Sequence, residues 1–365
     1  MKQITDIHCS KLSRPMTCAG SLFFDQTTIQ EVSDTAKEGT AAGELLALYL
    51  NNSQNIPLQA TNGIPFDNDM KFYMGEIAWQ IEGKAETKVL CETKIDWKTR
   101  SGIWIKGKYD VSFVVGNTLY VDDLKYGWGL VEAKENWQLL GYAIGEVIRR
   151  QTAFEKIVMR IHQPRPHHED GPTREWVITY EELLGFKEQI ESRMDKISKG
   201  FDELVTGPQC RYCVPTRGNC TAFNRSFYST LDYVLSDFRD DTVDEKRIGQ
   251  ELDLLERATE ILKIKNESMK QLAVEKIRSG KLIPGYACED SLGDRKWKAE
   301  VSPLVIETLT GKDITEKVML SPAKAEKIGV PKDLIATLVD RAFLGQKLKR
   351  YDANKQGNKI FGGIK

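Results

Sequence analysis

Asp110, Asp123 and Lys125 are the residues of this 365-residue chain whose types and spacing could do chemistry. Val111-Ser-Phe-Val-Val115 and Thr118-Leu-Tyr-Val121 are rich in β-branched and aromatic residues, and Gly116-Asn117 between them suits a two-residue turn needing positive φ. If Val115 faces Thr118, counting outward sets Asp110 opposite Asp123. Alternation along the strand then puts Asp123 and Lys125 on the Asp110 face and turns Leu124 into the core. Like charges facing each other across a ladder repel, so a divalent cation between the two carboxylates is the natural complement. Mg²⁺ accepts one or two carboxylates, fills its other positions with water and phosphate oxygens, and lowers the pKa of the water it holds. Lys125 would orient that water or stabilise charge growing on the phosphate. The chemistry is attack of water on a phosphate ester. The plainer alternative is two carboxylates at solvated strand ends, one of them paired with Lys125.

A second donor set is Cys210-x-x-Cys213-x6-Cys220, in a loop opened by Gly207-Pro208. The N-terminus, Met-Lys-Gln-Ile-Thr-Asp-Ile-His, lacks the apolar run of an export signal, so the cysteines read as metal ligands or core residues rather than disulfides, and a cytoplasmic location is expected. Three thiols need a fourth ligand for a tetrahedral site. Cys9, Cys18, Cys91 and Cys288 are all candidates by spacing, and zinc and an iron-sulfur cluster both accept four thiolates. No stretch approaches a membrane span.

The elements that must position these residues follow from periodicity. Lys37 to Asn51 reads as a helix. Phe72 to Trp97 reads as strand-rich and leads into the 110–125 hairpin. Glu132 to Arg150 is amphipathic, with Leu139, Leu140, Ala143, Ile144, Val147 and Ile148 on the buried side and Gln138 and Tyr142 one turn apart on another face. Ile157 to Ile161 is a short apolar run. His162, His167 and His168 then fall in a pattern-breaking segment that reads as a solvated loop. Tyr180 to Glu203 is helical and ends just before the cysteine loop. Strands alternating with helices give an α/β class. Thr242 to Ser279 is a long charged helix with Ile248, Leu252, Leu255, Ile261, Leu262, Met269 and Leu272 on its apolar side, stopped at Gly280. Two domains are expected, 1–235 and an α-rich 236–365. The net charge of −1 excludes a uniformly basic nucleic-acid binder, so phosphate contacts must come from local patches. One is the tail from Gly345, where Lys347, Lys349, Arg350, Lys355, Lys359 and Lys365 face Asp352 alone.

Gly107-Lys-Tyr-Asp110, Asp123-Leu-Lys125-Tyr-Gly127 and Asn136-Trp-Gln138-Leu-Leu-Gly-Tyr142, in that order, resemble the PD-(D/E)XK nucleases of the RecB type, most closely a phage and prophage branch. Ser13-Arg14-Pro-Met-Thr-Cys18-Ala-Gly20-Ser21, the Cys210 cluster, Gln163-Pro164-Arg165, Ile283-Pro-Gly285-Tyr286 and Arg295-Lys-Trp297 fit the same branch, so the resemblance spans nearly the whole chain. It implies a restriction-endonuclease-like core, a mixed central sheet flanked by helices, with a C-terminal α-rich extension. It implies a DNA exonuclease or end-processing nuclease with Mg²⁺ or Mn²⁺ on Asp110 and Asp123, Lys125 and Gln138 catalytic, and Tyr142 and Arg165 against DNA. It selects Cys18 as the fourth cysteine, with Cys210, Cys213 and Cys220, around a 4Fe-4S cluster like that of the AddB nuclease domain and the CRISPR adaptation nucleases; zinc is the alternative. The partners it implies are DNA and a recombinase, helicase or single-strand-binding protein, in the cytoplasm of a phage host.

One departure stands out. The family places a His after Gly-Thr-Ala-Ala, where it can contact the metal; here Gly39-Thr-Ala-Ala42 runs into Gly43-Glu44. A carboxylate from this helix or from Glu92 could substitute as a hard oxygen ligand. The competing reading is a catalytically impaired DNA-binding or partner-recruiting module on the same fold.

Overall fold

A computed structural model describes residues 4–23, 34–213, 220–235 and 245–288. These fall within one compact unit, Met1–Cys288; a second unit, Glu289–Lys365, lies outside the described residues, and with it Arg295, Trp297 and the basic tail.

The chain is mixed α/β. In order come β1 (Asp6–His8), α1 (Ser13–Thr17), α2 (Asp34–Leu50), α3 (Asn68–Glu82), β2 (Leu90–Lys98), β3 (Trp104–Val115), β4 (Thr118–Leu124), α4 (Trp137–Arg150), β5 (Lys156–His162), β6 (Thr173–Thr179), α5 (Tyr180–Ser198), α6 (Thr221–Leu235) and α7 (Glu245–Arg278). The six strands among the described residues form one mixed sheet, with β3 paired to β1, β2 and β4, and β5 between β4 and β6. Helices flank both faces. One buried cluster gathers Leu119 and Val121 of the sheet with Leu139, Leu140 and Ala143 of α4 and Leu183 and Ile190 of α5. The other gathers Val111 and Phe113 with Leu45 and Leu46 of α2 and Met70, Met74 and Ile81 of α3.

The hairpin forms in the register counted from its turn. Val115 pairs with Thr118 and Val111 with Asp122, and Gly116 takes φ +54°, a left-handed conformation that a Cβ disfavours. The strand does not keep one alternation throughout. Ile105 and Tyr109 belong to the first cluster while Val111 and Phe113 belong to the second, although all four are odd-numbered. The facing slips by one at Asp110. Opposite it Glu92 takes φ +48° and breaks the β2 ladder between Cys91 and Thr93.

Three expectations about the helices are corrected, the first being Ile148, expected on the buried side of α4 and 43% exposed. Phe72 to Glu82 is helix, not strand. Met70, Met74, Ile77, Ala78 and Ile81 recur at helical spacing and are buried, and the Asp67 carboxylate caps the helix by accepting from the Met70 N–H at 2.8 Å. In α7 the buried residues are Ala258, Ile264 and Ser268, with Ile261 packed against the Cys210 cluster, whereas Ile248, Leu252, Leu255 and Met269 are exposed. No helix among the described residues is long and apolar enough to cross a membrane.

α4 lies unusually close to the sheet. A Cβ added at Gly145 would stand 2.7 Å from Ile95 Cδ1, and one at Gly141 2.9 Å from Cys9 Sγ. The Asn136 side chain accepts from the Gln138 and Leu139 N–H groups, which fixes where the helix begins and so aims Gln138 at β4.

Candidate active site

Asp110, Asp123, Lys125, Gln138 and Tyr142 come together. The Lys125 ammonium lies 2.6 Å from Asp123 Oδ2 and donates to Gln138 Oε1 at 3.2 Å. Gln138 Nε2 donates to Asp123 Oδ1 at 2.9 Å and to the Tyr142 hydroxyl at 2.9 Å. Gln138 and Tyr142 thus share a helix face one turn apart. Tyr142 is buried, and a Cβ at Gly107 would lie 2.6 Å from its ring. Its place is beneath Gln138, orienting that amide. Leu124 turns away into the second cluster and its N–H donates to Asp110 Oδ2 at 2.6 Å.

The electrostatics identify a carboxylate pair short of positive charge. Burial, then the Asp123 charge, raise the Asp110 carboxyl to about 7 against the Leu124 N–H, Lys125 and Lys108. Burial disfavours the Lys125 ammonium, but the charge and hydrogen bond of Asp123 and the charge of Asp110 outweigh it, so its pKa rises and it stays protonated. Asp123 Oδ2 is buried, with the Lys125 ammonium as its partner at 2.6 Å. One ammonium between two carboxylates leaves room for one more cation.

The raised Asp110 carboxyl has a measurable consequence. It titrates near 7 folded and at 3.8 as a free side chain, so between those values the folded chain holds the extra proton. Metal-free protein therefore loses stability as pH rises through that window and levels off above it. Asp110→Asn removes the loss and should raise the unfolding free energy at pH 8 by roughly 1–3 kcal/mol, less than the full shift because Asp110 keeps one edge toward solvent. Denaturant melts in EDTA at pH 5 and pH 8 read this out; equal pH dependence in the two proteins would refute the assignment.

Of the carboxylates near the departure at Gly43, Glu44 is committed elsewhere: its oxygens accept from the Thr61 N–H at 3.1 and 3.0 Å and from the Thr61 hydroxyl at 2.7 Å. Glu92 stands at the gap. A Cβ at Gly43 would lie 3.4 Å from Glu92 Oε1, while Glu92 Oε2 pairs with Lys108.

The loop after Lys125 is pinned. Gln163 Nε2 donates to the carbonyls of Gly127 and Gly129 at 3.0 and 2.7 Å, and Gln163 Oε1 accepts from Val131 N–H and from Arg174 at 3.1 and 2.6 Å. Arg165 pairs with Glu38 at 2.7 Å and lies 3.8 Å over the Tyr126 ring, so it ties this loop to α2. Trp128, in the pinned loop, is 66% exposed.

Sequence reasoning missed two buried polar networks. On the opposite face of β4, Arg160 grips Asp122 with two bonds at 2.8 and 2.5 Å, and His162 Nε2 lies 3.1 Å from the same carboxylate. His162 is therefore a buried end of β5 held also by Thr173, not a solvated loop residue. Burial works against the Asp122 charge, yet Arg160 and His162 hold its carboxyl below the usual range. Glu146 of α4 is likewise buried among Tyr109, Ser112, Arg149 and Arg150. The signal for it was present in the sequence: an acid on the apolar side of α4 with arginines three and four residues on.

The cysteines named by resemblance lie within range of one another's charge. The segment bearing Cys18 packs on residues 202–205: Gly20 N–H donates to the Glu203 carbonyl at 2.9 Å, and Cys18 Sγ accepts from Val205 N–H at 3.4 Å. A Cβ at Gly20 would stand 2.4 Å from the Asp202 carbonyl, so only glycine allows this approach. Cys210 lies in the turn Pro208–Tyr212, and Cys220 precedes α6 and accepts from the Phe223 N–H at 3.4 Å. Burial, then the charges of Cys210, Cys18 and Cys220 against that of Arg14, push the Cys213 thiol up to about 12. Burial likewise raises Cys210, which senses Cys220 and Cys18. As placed, no three His, Cys, Asp or Glu side chains among the described residues close on a metal ion. The four thiols fit a thiophilic group by donor chemistry, and the raised Cys210 and Cys213 would be stable thiolates here only against added positive charge. Cys9 and Cys91 lie in the sheet region, away from this set, and Cys288 is exposed.

A family model described as "Protein of unknown function (DUF2800)" matches residues 7–346. No curated protein matches the chain. A solved structure titled "Crystal structure of SSO0001" is similar at 12% identity and a TM-score of 0.33, covering 61% of this chain and 89% of that one.

Proposed function

The chain belongs to the DUF2800 family, and we propose that it is a metal-dependent deoxyribonuclease of the PD-(D/E)XK type, an exonuclease or end-processing enzyme. The observation that carries this is the joining of Asp110, Asp123, Lys125 and Gln138 across β3, β4 and α4. Two facing buried carboxylates that share one ammonium are a fitting hard-oxygen donor pair for Mg²⁺ or Mn²⁺. The ion, when bound, supplies Lewis-acid activation of the phosphodiester and of water. The chain's own groups do the rest. Asp123 and Gln138 fix the Lys125 ammonium at two points, so its charge is already in place when negative charge grows on the phosphate. Tyr142 prevents Gln138 from turning away. Water adds to phosphorus, the bond from phosphorus to the leaving deoxyribose oxygen breaks, and that oxygen takes up a proton. Trp128, exposed in its pinned loop three residues past Lys125, offers an aromatic face to an unstacked base. Cys18, Cys210, Cys213 and Cys220 would hold a 4Fe-4S cluster, or zinc, as a structural tie between the start of the domain and its end.

Purified full chain with Mg²⁺ or Mn²⁺ should shorten end-labelled linear DNA and leave covalently closed circular DNA intact. Cleavage of the circle would overturn end dependence, and no degradation of any DNA would overturn the reading. Gly43 motivates a second one, a DNA-binding module without turnover, which predicts DNA affinity with no metal-dependent hydrolysis.

A further inference from the structure

We propose that the exposed face of the β2–β3 ribbon is the track along which a single DNA strand is threaded to Asp110. This rests on the nuclease reading for its choice of ligand, but the surface itself is drawn from separate residues. On β3, Trp104, Lys106 and Lys108 alternate with the buried Ile105, Gly107 and Tyr109 and are all exposed. On β2, Lys94, Asp96 and Lys98 pair with Lys108, Lys106 and Trp104 and are exposed in the same way. Antiparallel partners share a face. The ribbon therefore presents four lysines and one tryptophan against Asp96, in a chain whose net charge is −1. The Lys98 ammonium sits 5.6 Å over the Trp104 ring. A groove of about 550 Å³ runs beside these residues, lined by His8, Lys94, Asp96, Lys106 and Lys108 among others.

The order of groups matches an extended nucleotide chain. Lysines two residues apart on one strand stand roughly 6.6–6.8 Å apart, close to the repeat of stretched single-stranded DNA. Lys106 lies a loose 4.0 Å from Asp6, while Lys108 is closely paired with Glu92 and must exchange that carboxylate for a phosphate. The row ends at Lys108, two residues before Asp110, where the facing of β3 changes and the Asp110 carboxyl is within reach of the Lys108 charge. A strand whose phosphates lie on Lys106 and Lys108 reaches the carboxylate pair by crossing the ribbon where the facing of β3 changes. Trp104 at the far end stacks a base and sets the distance over which the strand is held. A duplex, too stiff and too wide to follow one strand of a ribbon, does not make these contacts.

The test measures binding without turnover. Fluorescein-labelled single-stranded DNA is titrated with the full chain in EDTA at several salt concentrations, comparing wild type, Lys94→Ala/Lys106→Ala, Trp104→Ala and Lys199→Ala. Removing one lysine that neutralises a phosphate lowers the slope of log affinity against log salt by about 0.7 for a single strand, so the double variant should be shallower by about 1.4 and bind about tenfold more weakly at low salt. Trp104→Ala should weaken binding about tenfold with its salt slope unchanged. Lys199→Ala, an exposed lysine after α5, should match wild type. Wild-type affinity and slope in the double variant would overturn the track while leaving the nuclease reading intact. Loss of slope in a chain that hydrolyses no DNA would keep the track and sink the nuclease. Failure of wild type to bind single-stranded DNA would overturn it outright.

Discussion

Replacing Lys125 by Met should lower Mn²⁺-dependent DNA hydrolysis by about 10²–10³-fold while leaving Mn²⁺ binding as tight as in wild type or tighter. The opposite signs make this prediction informative. Lys125 is the positive partner of Asp123, at 2.6 Å, and its ammonium shares a pocket with both carboxylates. Removing it takes a like charge away from an incoming cation, so metal affinity cannot fall for electrostatic reasons. Hydrolysis falls because the ammonium fixed by Asp123 and Gln138 is the one placed between the carboxylates to meet charge on the scissile phosphate. Gln138 cannot compensate, since its amide nitrogen is already given to Asp123 and Tyr142 and its oxygen accepts from Lys125. The variant should also melt lower than wild type without metal and recover when Mn²⁺ is added, because a buried carboxylate has lost its counter-charge. Metal titration by calorimetry, set beside initial hydrolysis rates, separates the two effects. Rates within about threefold of wild type would reduce Lys125 to an ordinary ion-pair partner.

Replacing Cys210 by Ser should have the largest effect on stability. Cys210 and Cys220 lie in the small cluster that joins Leu204, Ala222 and Phe223 to Ile261 and Ile264 of α7. That cluster has few apolar residues, among them Phe223, Ile264, Leu204 and Ile261, so packing alone holds it weakly. A group bound by four thiolates contributes its binding energy to folding. Its loss should lower Tm by roughly 10 °C or more and remove visible absorption near about 400 nm from the purified protein. A colourless wild type containing zinc would replace the iron-sulfur assignment. Unchanged Tm in a metal-free variant would remove the structural role altogether.

The hairpin was legible because three independent signals agreed: a Gly-Asn turn, β-branched flanks and a spacing that returned both aspartates to one level. That Gln138 and Tyr142 share one face of α4 was legible from helical spacing, as their hydrogen bond at 2.9 Å shows, whereas their place beside Asp123 was named only by the resemblance. What could not be read is where one strand crosses between two cores. The change of facing at Asp110 depends on α4 crowding one side of β3 and α2 and α3 the other, and local sequence carries neither. The strand expected over Phe72 to Glu82 came from weighing aromatic and β-branched content above the 3–4 spacing of Met70, Met74, Ile77 and Ile81. That spacing was the better guide because a second apolar surface awaited it. His162 and Asp122 were hidden for a related reason. Each looks like a surface residue until Arg160, from the neighbouring strand, supplies the charge that permits burial. In α7, length and charge were readable, but which stripe is buried depends on α6 and the cysteine turn packing against it.

The central claim is that Asp110 and Asp123 form a working metal-dependent hydrolytic centre. It is tested most directly by label release from end-labelled linear DNA with Mn²⁺, comparing full-length wild type with Asp123→Ala in the same preparation conditions. Wild type should release label in a reaction abolished by EDTA, and Asp123→Ala should release none above background. Intact DNA with wild type, or release by Asp123→Ala at the wild-type rate, would contradict it.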